Sequence, residues 1–260
     1  MKLLIILLTF FLIPIEVFAD SMPIVFGHRG ASHLACENTL PAFQKCLDLH
    51  IPAIELDVHQ CKSGQIVVIH DDTVDRTTNG KGLVNDLNWE NLAKLNIKAN
   101  HFKDMPKIKL PLLSQVLDLI SGKLIINIEI KGYTPSLVQG VLNNLKHYPD
   151  NSKIIISSFE YDALKEVYKL NPHLKLAVLT EHQHFADVED KLAQIKAVSW
   201  NPDFETVNAS DVVACHNQHY QVWVWTIDSL ADYQKALDLK VDAIITNEPD
   251  KLIKFLQKLN

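Results

Sequence analysis

The sequence predicts a (β/α)8, or TIM, barrel with a small insertion after its second strand. Two observations lead there. β-rich runs alternate with amphipathic helical runs along most of the chain, and strands are predicted to start at Ile24, Ala53, Leu124, Ile154, Lys175, Ala197, Val222 and Ala243. Eight such strands in about 240 residues match the barrel pattern. An open doubly wound sheet is the runner-up, but no Gly-rich dinucleotide fingerprint follows the first strand.

Met1 to Ala19 stands outside that rhythm and reads as a secretory signal peptide. Lys2 begins a short positive region, Leu3 to Ile15 is apolar, and the residues around Ala19 suit cleavage before Asp20. The apolar run is short for a transmembrane span, which leaves an uncleaved anchor as the alternative. On the signal-peptide reading, residues 20–260 form a single exported domain, periplasmic or secreted, with no stable membrane anchor. A formal net charge of -6 offers no electrostatic footprint for nucleic acid, and no polybasic patch suits anionic membranes. Cys36, Cys46, Cys61 and Cys215 could pair in an oxidising compartment in three complete ways, or stay as buried thiols.

The first strand, Ile24 to Gly27, runs into His28-Arg29-Gly30-Ala31. The flanking glycines let the backbone turn sharply and approach a ligand. Thr39 is placed to cap a helix from about Leu40, with Pro41 tolerated in its first turn.

Ala53 to Gln60 alternates as a strand, sending Glu55 and Asp57 to one face, and a second β-rich run follows to His70. The separating turn is too short for a parallel crossover, so the two runs form an antiparallel hairpin. A turn centred on Lys62 and Ser63 pairs position 55 with position 70. His70 then lies beside two carboxylates. An edge hairpin facing water is the plain alternative, but the flanking Ile, Leu and Val residues mark a buried location where unpaired carboxylates are costly. Adjacent acids repel unless a cation sits between them.

Residues 71–110 read as the insertion, with turn signals at Asn79-Gly80 and Lys81-Gly82 and one short helix near Asn88. Asp75 and Arg76 are expected to pair within it. The following strand, Leu124 to Lys131, alternates again and places Asn127, Glu129 and Lys131 on one face. Sites in this fold gather at the C-terminal ends of the strands, and His28, Arg29, Glu55, Asp57, Glu129, Lys131 and Trp225 all fall there.

Three carboxylates, Glu55, Asp57 and Glu129, suit a hard divalent cation, Ca²⁺ or Mg²⁺. Arg29 can fork onto phosphate and Lys131 adds a point charge. His28 and His70 can act as acid and base about a phosphorus centre, so the implied reaction is metal-assisted cleavage of a phosphodiester.

These residues lie in motifs that resemble the bacterial glycerophosphodiester phosphodiesterases over nearly all of Ile24 to Leu259. GHRGA at Gly27 to Ala31, ENT at Glu37 to Thr39, ELDV at Glu55 to Val58 and IHDDTVDRTTNGKG at Ile69 to Gly82 occur in the family's order. IEIK at Ile128 to Lys131, VWTID at Val224 to Asp228 and ITNEPD at Ile245 to Asp250 follow. The resemblance implies metal ligation by Glu55, Asp57 and Glu129, catalysis by His28 and His70, and a phosphate grip by Arg29 and Lys131. It also implies a small-molecule substrate such as glycerophosphocholine or glycerophosphoethanolamine, cleaved to glycerol 3-phosphate and an alcohol.

Trp225 and Phe159 read as a wall for the glycerol or as core. Glu37 can orient Arg29 or approach the metal, whereas Asn38 and Thr39 read chiefly as caps. His59 stands where the family has an uncharged polar residue; it shares a face with Glu55 and Asp57 and is expected at the surface, with metal ligation as the lesser alternative. A phospholipase acting on intact lipid and an exported, non-catalytic binding protein are the competing functions; the presence of both histidines favours catalysis.

Overall fold

A computed structural model of the protein describes residues 22–259 except 100–101, 103–106 and 149, so the proposed signal peptide lies outside the described residues. Strand β1 (Ile24–Gly27), helix α1 (Leu40–Asp48), strand β2 (Ala53–Gln60) and strand β3 (Ile66–Val68) open the fold. Helices α2 (Trp89–Leu92) and α3 (Leu113–Ile120) precede β4 (Ile125–Ile130), α4 (Pro135–Leu145), β5 (Ile154–Ser158) and α5 (Tyr161–Leu170). The alternation continues through β6 (Lys175–Thr180), α6 (Glu189–Ile195), β7 (Ser199–Pro202) and α7 (Ala209–Asn217). It ends with β8 (Gln221–Val224), α8 (Leu230–Asp238), β9 (Ala243–Thr246) and α9 (Pro249–Leu256).

All strands except β3 run parallel, and β1 pairs with both β2 and β9, which closes an eight-stranded (β/α)8 barrel. Closure leaves two buried layers. Between strands and helices lies the main apolar core, which includes Phe43, Leu56, Leu117, Val141, Val167, Trp200 and Leu252. A smaller cluster of Phe26, Ala53, Ile155, Ala177, Trp223, Ala243 and Ile245 lies apart from it, and alternation along the strands puts these residues inside the barrel. Among the described residues, no helix is long and apolar enough to cross a membrane. All four cysteines are buried free thiols.

The edge of β2 opposite β4 is shared by two strands from opposite directions. β1 runs parallel along it, with Gly27 opposite Ile54, and stops; β3 descends antiparallel, with Val68 opposite Val58. Both therefore end beside the stretch of β2 that carries Glu55 and Asp57. His28 leaves β1 and His70 follows β3 at that gap.

The hairpin register differs from the sequence expectation by one residue. His59 pairs with Val67, so position 70 continues opposite Leu56 rather than Glu55. The turn is longer than predicted: Cys61 N–H donates to the Gln65 carbonyl, and Gly64 supplies φ +92° within it. Regular pleating would send His70 to the outer face with Leu56. Because β3 ends at Val68, the chain bends and returns the imidazole to the rim.

Residues after β3 contribute more apolar packing than their polar composition suggests. Val74, Val84, Leu92 and Leu110 cluster with Cys61, Val67 and Ile69 as a third small core. The helix expected near Asn88 is a single turn, α2. At α1, Thr39 occupies the cap position without a side-chain capping bond, since its Oγ1 donates to the Cys36 carbonyl at 2.6 Å.

Candidate active site

The β1–α1 turn is shaped by two glycines. A Cβ on Gly27 would come within 2.8 Å of the Gly30 carbonyl oxygen, and Gly30 adopts φ +84° against Ala42. Arg29 is itself left-handed, at φ 56°, an uncommon conformation for a side chain of this size. That twist directs the Arg29 N–H onto Glu55 Oε2 at 2.9 Å.

Glu55, Asp57 and Glu129 project into the barrel mouth from adjacent strands; Asp57 and Glu129 are direct partners in the β2–β4 register. One carboxylate oxygen from each lies within 4.8 Å of the others, and all three residues are buried. Burial and the neighbouring Asp57 charge push Glu55 upward and Glu129 up to about 7. Glu55 Oε1 and Asp57 Oδ1 are buried without hydrogen-bond partners among the described residues. Crowded oxygen donors with unspent acceptor capacity fit a hard divalent cation. The cluster is a candidate metal site.

The basic groups lean on these acids. Arg29 Nε is 3.5 Å from Asp57 Oδ2, and its Nη1 donates to Glu37 at 2.8 Å. Lys131 Nζ donates to Glu129 Oε1 at 2.8 Å and lies 3.7 Å from Asp57. Burial pulls the Lys131 pKa down, but Glu129 and Asp57 outweigh it and the net shift is upward.

Both imidazoles are anchored through Nδ1. Asn247 donates its backbone N–H and Nδ2 to Asp228, which leaves its Oδ1 to accept from His28 Nδ1 at 2.8 Å. His70 Nδ1 donates to Asp71 Oδ1 at 2.8 Å, and Arg76 forks onto the same carboxylate. These partners place the Nδ1 protons, so in each neutral ring the Nε2 lone pair is directed elsewhere. His28 Nε2 lies 4.0 Å from Glu55, and His70 Nε2 lies 3.2 Å from Lys131 Nζ. Burial, with Arg29 adding to it, lowers the His28 pKa to about 4.

A cavity of about 440 Å³ gathers most of this set. His28, Arg29, Glu55, His70, Asn127, Glu129, Lys131, Phe159 and Trp225 line it, with Glu181 at its rim. Asp57 sits behind, nearly fully buried. Phe159 meets Trp225 edge to face at 5.5 Å, and Lys131 Nζ lies 5.9 Å from the Phe159 ring centre.

Several supporting residues carried little signal in the sequence. Asn38 donates to Asp57 Oδ2 at 2.7 Å and also accepts the Asp57 N–H, so it braces an acid instead of capping α1. Arg76 bypasses Asp75, which binds Lys81, and joins Asp71 to Glu37. His59 is buried, correcting the surface expectation, and its Nε2 meets the His70 carbonyl at 3.1 Å. Asp228 ends the VWTID motif and Asn247 lies in ITNEPD, but their link to His28 spans most of the chain. Only the closed barrel brings them together.

Acids that fit a cation lie beside Arg29 and Lys131 at the mouth of a (β/α)8 barrel, where enzymes of this fold carry their active sites. A model of the glycerophosphoryl diester phosphodiesterase family matches residues 28–251. A glycerophosphodiester phosphodiesterase of Caldanaerobacter subterraneus subsp. tengcongensis is 35% identical over 244 residues, covering 90% of this chain and 98% of the relative. The chain belongs to the glycerophosphoryl diester phosphodiesterase family and is an enzyme. A second glycerophosphodiester phosphodiesterase, from Bacillus altitudinis, is 33% identical over 241 residues, 90% of this chain and 98% of the relative. An Oleispira antarctica phosphodiesterase solved with sn-glycerol-3-phosphate shares the fold at TM-score 0.86 and 24% identity, over 91% of this chain and 97% of that one.

Proposed function

We propose that the enzyme hydrolyses small glycerophosphodiesters such as glycerophosphocholine and glycerophosphoethanolamine to glycerol 3-phosphate and the free alcohol. The observation that carries this reading is the matched anchoring of His28 and His70, each held at Nδ1 beside the same acidic cluster. One imidazole takes a proton from the attacking oxygen as the new bond to phosphorus forms. The other delivers a proton to the departing alkoxide as the old bond breaks.

Glu55, Asp57 and Glu129 would hold Ca²⁺ or Mg²⁺, and a bound cation supplies positive charge that offsets the acids and the phosphate. Arg29 and Lys131 bind the phosphate oxygens, while Phe159 and Trp225 form an apolar wall against the glycerol carbons. The leader-like sequence of Met1 to Ala19 supports an exported enzyme working in the periplasm or medium.

Incubation with glycerophosphocholine or glycerophosphoethanolamine and either cation, followed by an enzymatic assay for glycerol 3-phosphate, tests the reading. Release of that product with both substrates is expected. Failure with both, alongside turnover of intact phospholipid vesicles, would replace it with a phospholipase.

A further inference from the structure

Asn127 is fully buried on β4, in register with Glu55 and two residues before Glu129. It lines the acidic cavity. Among the described residues, neither its Oδ1 nor its Nδ2 has a hydrogen-bond partner. Leaving buried polar atoms unpaired forfeits their hydration with no bond in return. An apolar residue of similar shape would avoid that cost, and the next position across the register, on β5, is indeed apolar Ile155.

The amide stands across the register from Glu55, whose Oε1 likewise has no hydrogen-bond partner among the described residues, and it shares the cavity with Glu129. A hard cation of the calcium type takes six to eight oxygens and accepts amide carbonyls among them. Three carboxylates leave room for a neutral oxygen. We propose that Asn127 belongs to the cation site, its Oδ1 supplying a neutral carbonyl oxygen to the coordination sphere. This inference rests on the reading of Glu55, Asp57 and Glu129 as cation ligands.

Asn127→Leu separates a ligand from a packing residue, because the two roles predict opposite stability effects. The purified wild-type protein and variant are stripped with chelator, titrated with Ca²⁺ and Mg²⁺ by calorimetry, and melted in chelator. Removing the unpaired amide should leave the cation-free melting temperature unchanged or raised. Cation affinity should fall about ten- to a hundred-fold, the range for groups that tune a metal site. Wild-type affinity in the variant, or a lower cation-free melting temperature with affinity intact, overturns the proposal.

Asn127→Asp provides a second reading should the leucine variant fail to fold. A fourth carboxylate should tighten divalent binding and lower cation-free stability, whereas unchanged affinity counts against Asn127. Absence of cation uptake by the wild type would instead remove the three-carboxylate reading itself, and this inference with it.

Discussion

Arg76, in the segment after β3, grips Glu37 in the β1–α1 loop through two hydrogen bonds of 2.8 Å, Nη1 to Oε2 and Nη2 to Oε1. The same guanidinium forks onto Asp71, which holds His70, while Glu37 holds Arg29. One side chain thus ties together the two loops that deliver His70 and Arg29.

Arg76→Met should loosen both loops at once. A roughly ten-fold loss of kcat is expected, in line with the cost of misplacing a proton-transfer group. Arg76 is about half exposed, so its direct contribution to stability should be no more than about 1 kcal/mol. Arg76→Lys should behave like Arg76→Met, since an ammonium cannot fork onto two carboxylates. Steady-state kinetics with either variant at wild-type rates would leave the network without a catalytic role.

Glu37 makes an acid-dependent contribution. Burial pushes its pKa up, but Arg76 and Arg29 outweigh that and hold it at about 2, below the ordinary value of 4.5. For a depressed carboxylate, the stabilisation is present above the unfolded-state pKa and is lost as pH falls through the folded value. Glu37→Gln should therefore be less stable at pH 7, by on the order of 2 kcal/mol after allowing for solvent screening at Arg76. The gap should close between about pH 4.5 and 2. Urea unfolding at pH 7, 5 and 3 measures it; a gap independent of pH would contradict the ion-pair origin.

His28→Ala and His70→Ala should each lower kcat by about 10²- to 10⁴-fold. Both side chains lie at the cavity wall, outside the packed apolar cores, so melting temperatures should change by only a few degrees. Thermal melts beside kinetics distinguish loss of chemistry from loss of fold. Near-normal turnover in either variant would take that histidine out of the proton-transfer pair.

Cation binding should release protons near neutral pH. Glu129 is raised to about 7 and Glu55 is raised as well, by burial first and by Asp57 next, so a bound ion, which needs ionised carboxylates, should displace protons from the cluster. Affinity should weaken as pH falls below 7. Calorimetry at pH 6.5 in buffers of different ionisation enthalpy should show release of about one proton per ion. Identical heats in the two buffers would indicate that the acids are already ionised.

Eight-fold alternation, a hairpin after the second strand and acids interrupting apolar strands are local patterns. The barrel and the convergence of Glu55, Asp57 and Glu129 were therefore legible in the sequence alone, and His28 and His70 could be named from it as a proposed pair. Strand alternation has a period of two, so the face carrying Glu55 and Asp57 could be read directly. Only tertiary structure decided the hairpin register, because the turn around Gly64 takes one more residue than the shortest pairing allows. The partners of Asn247, Arg76 and Asn38 were equally out of reach. Closure of β1 onto β9 brings Asn247 to His28, whereas pairing of β2 with β1 and β3 brings Asn38 to Asp57 and Arg76 to Glu37.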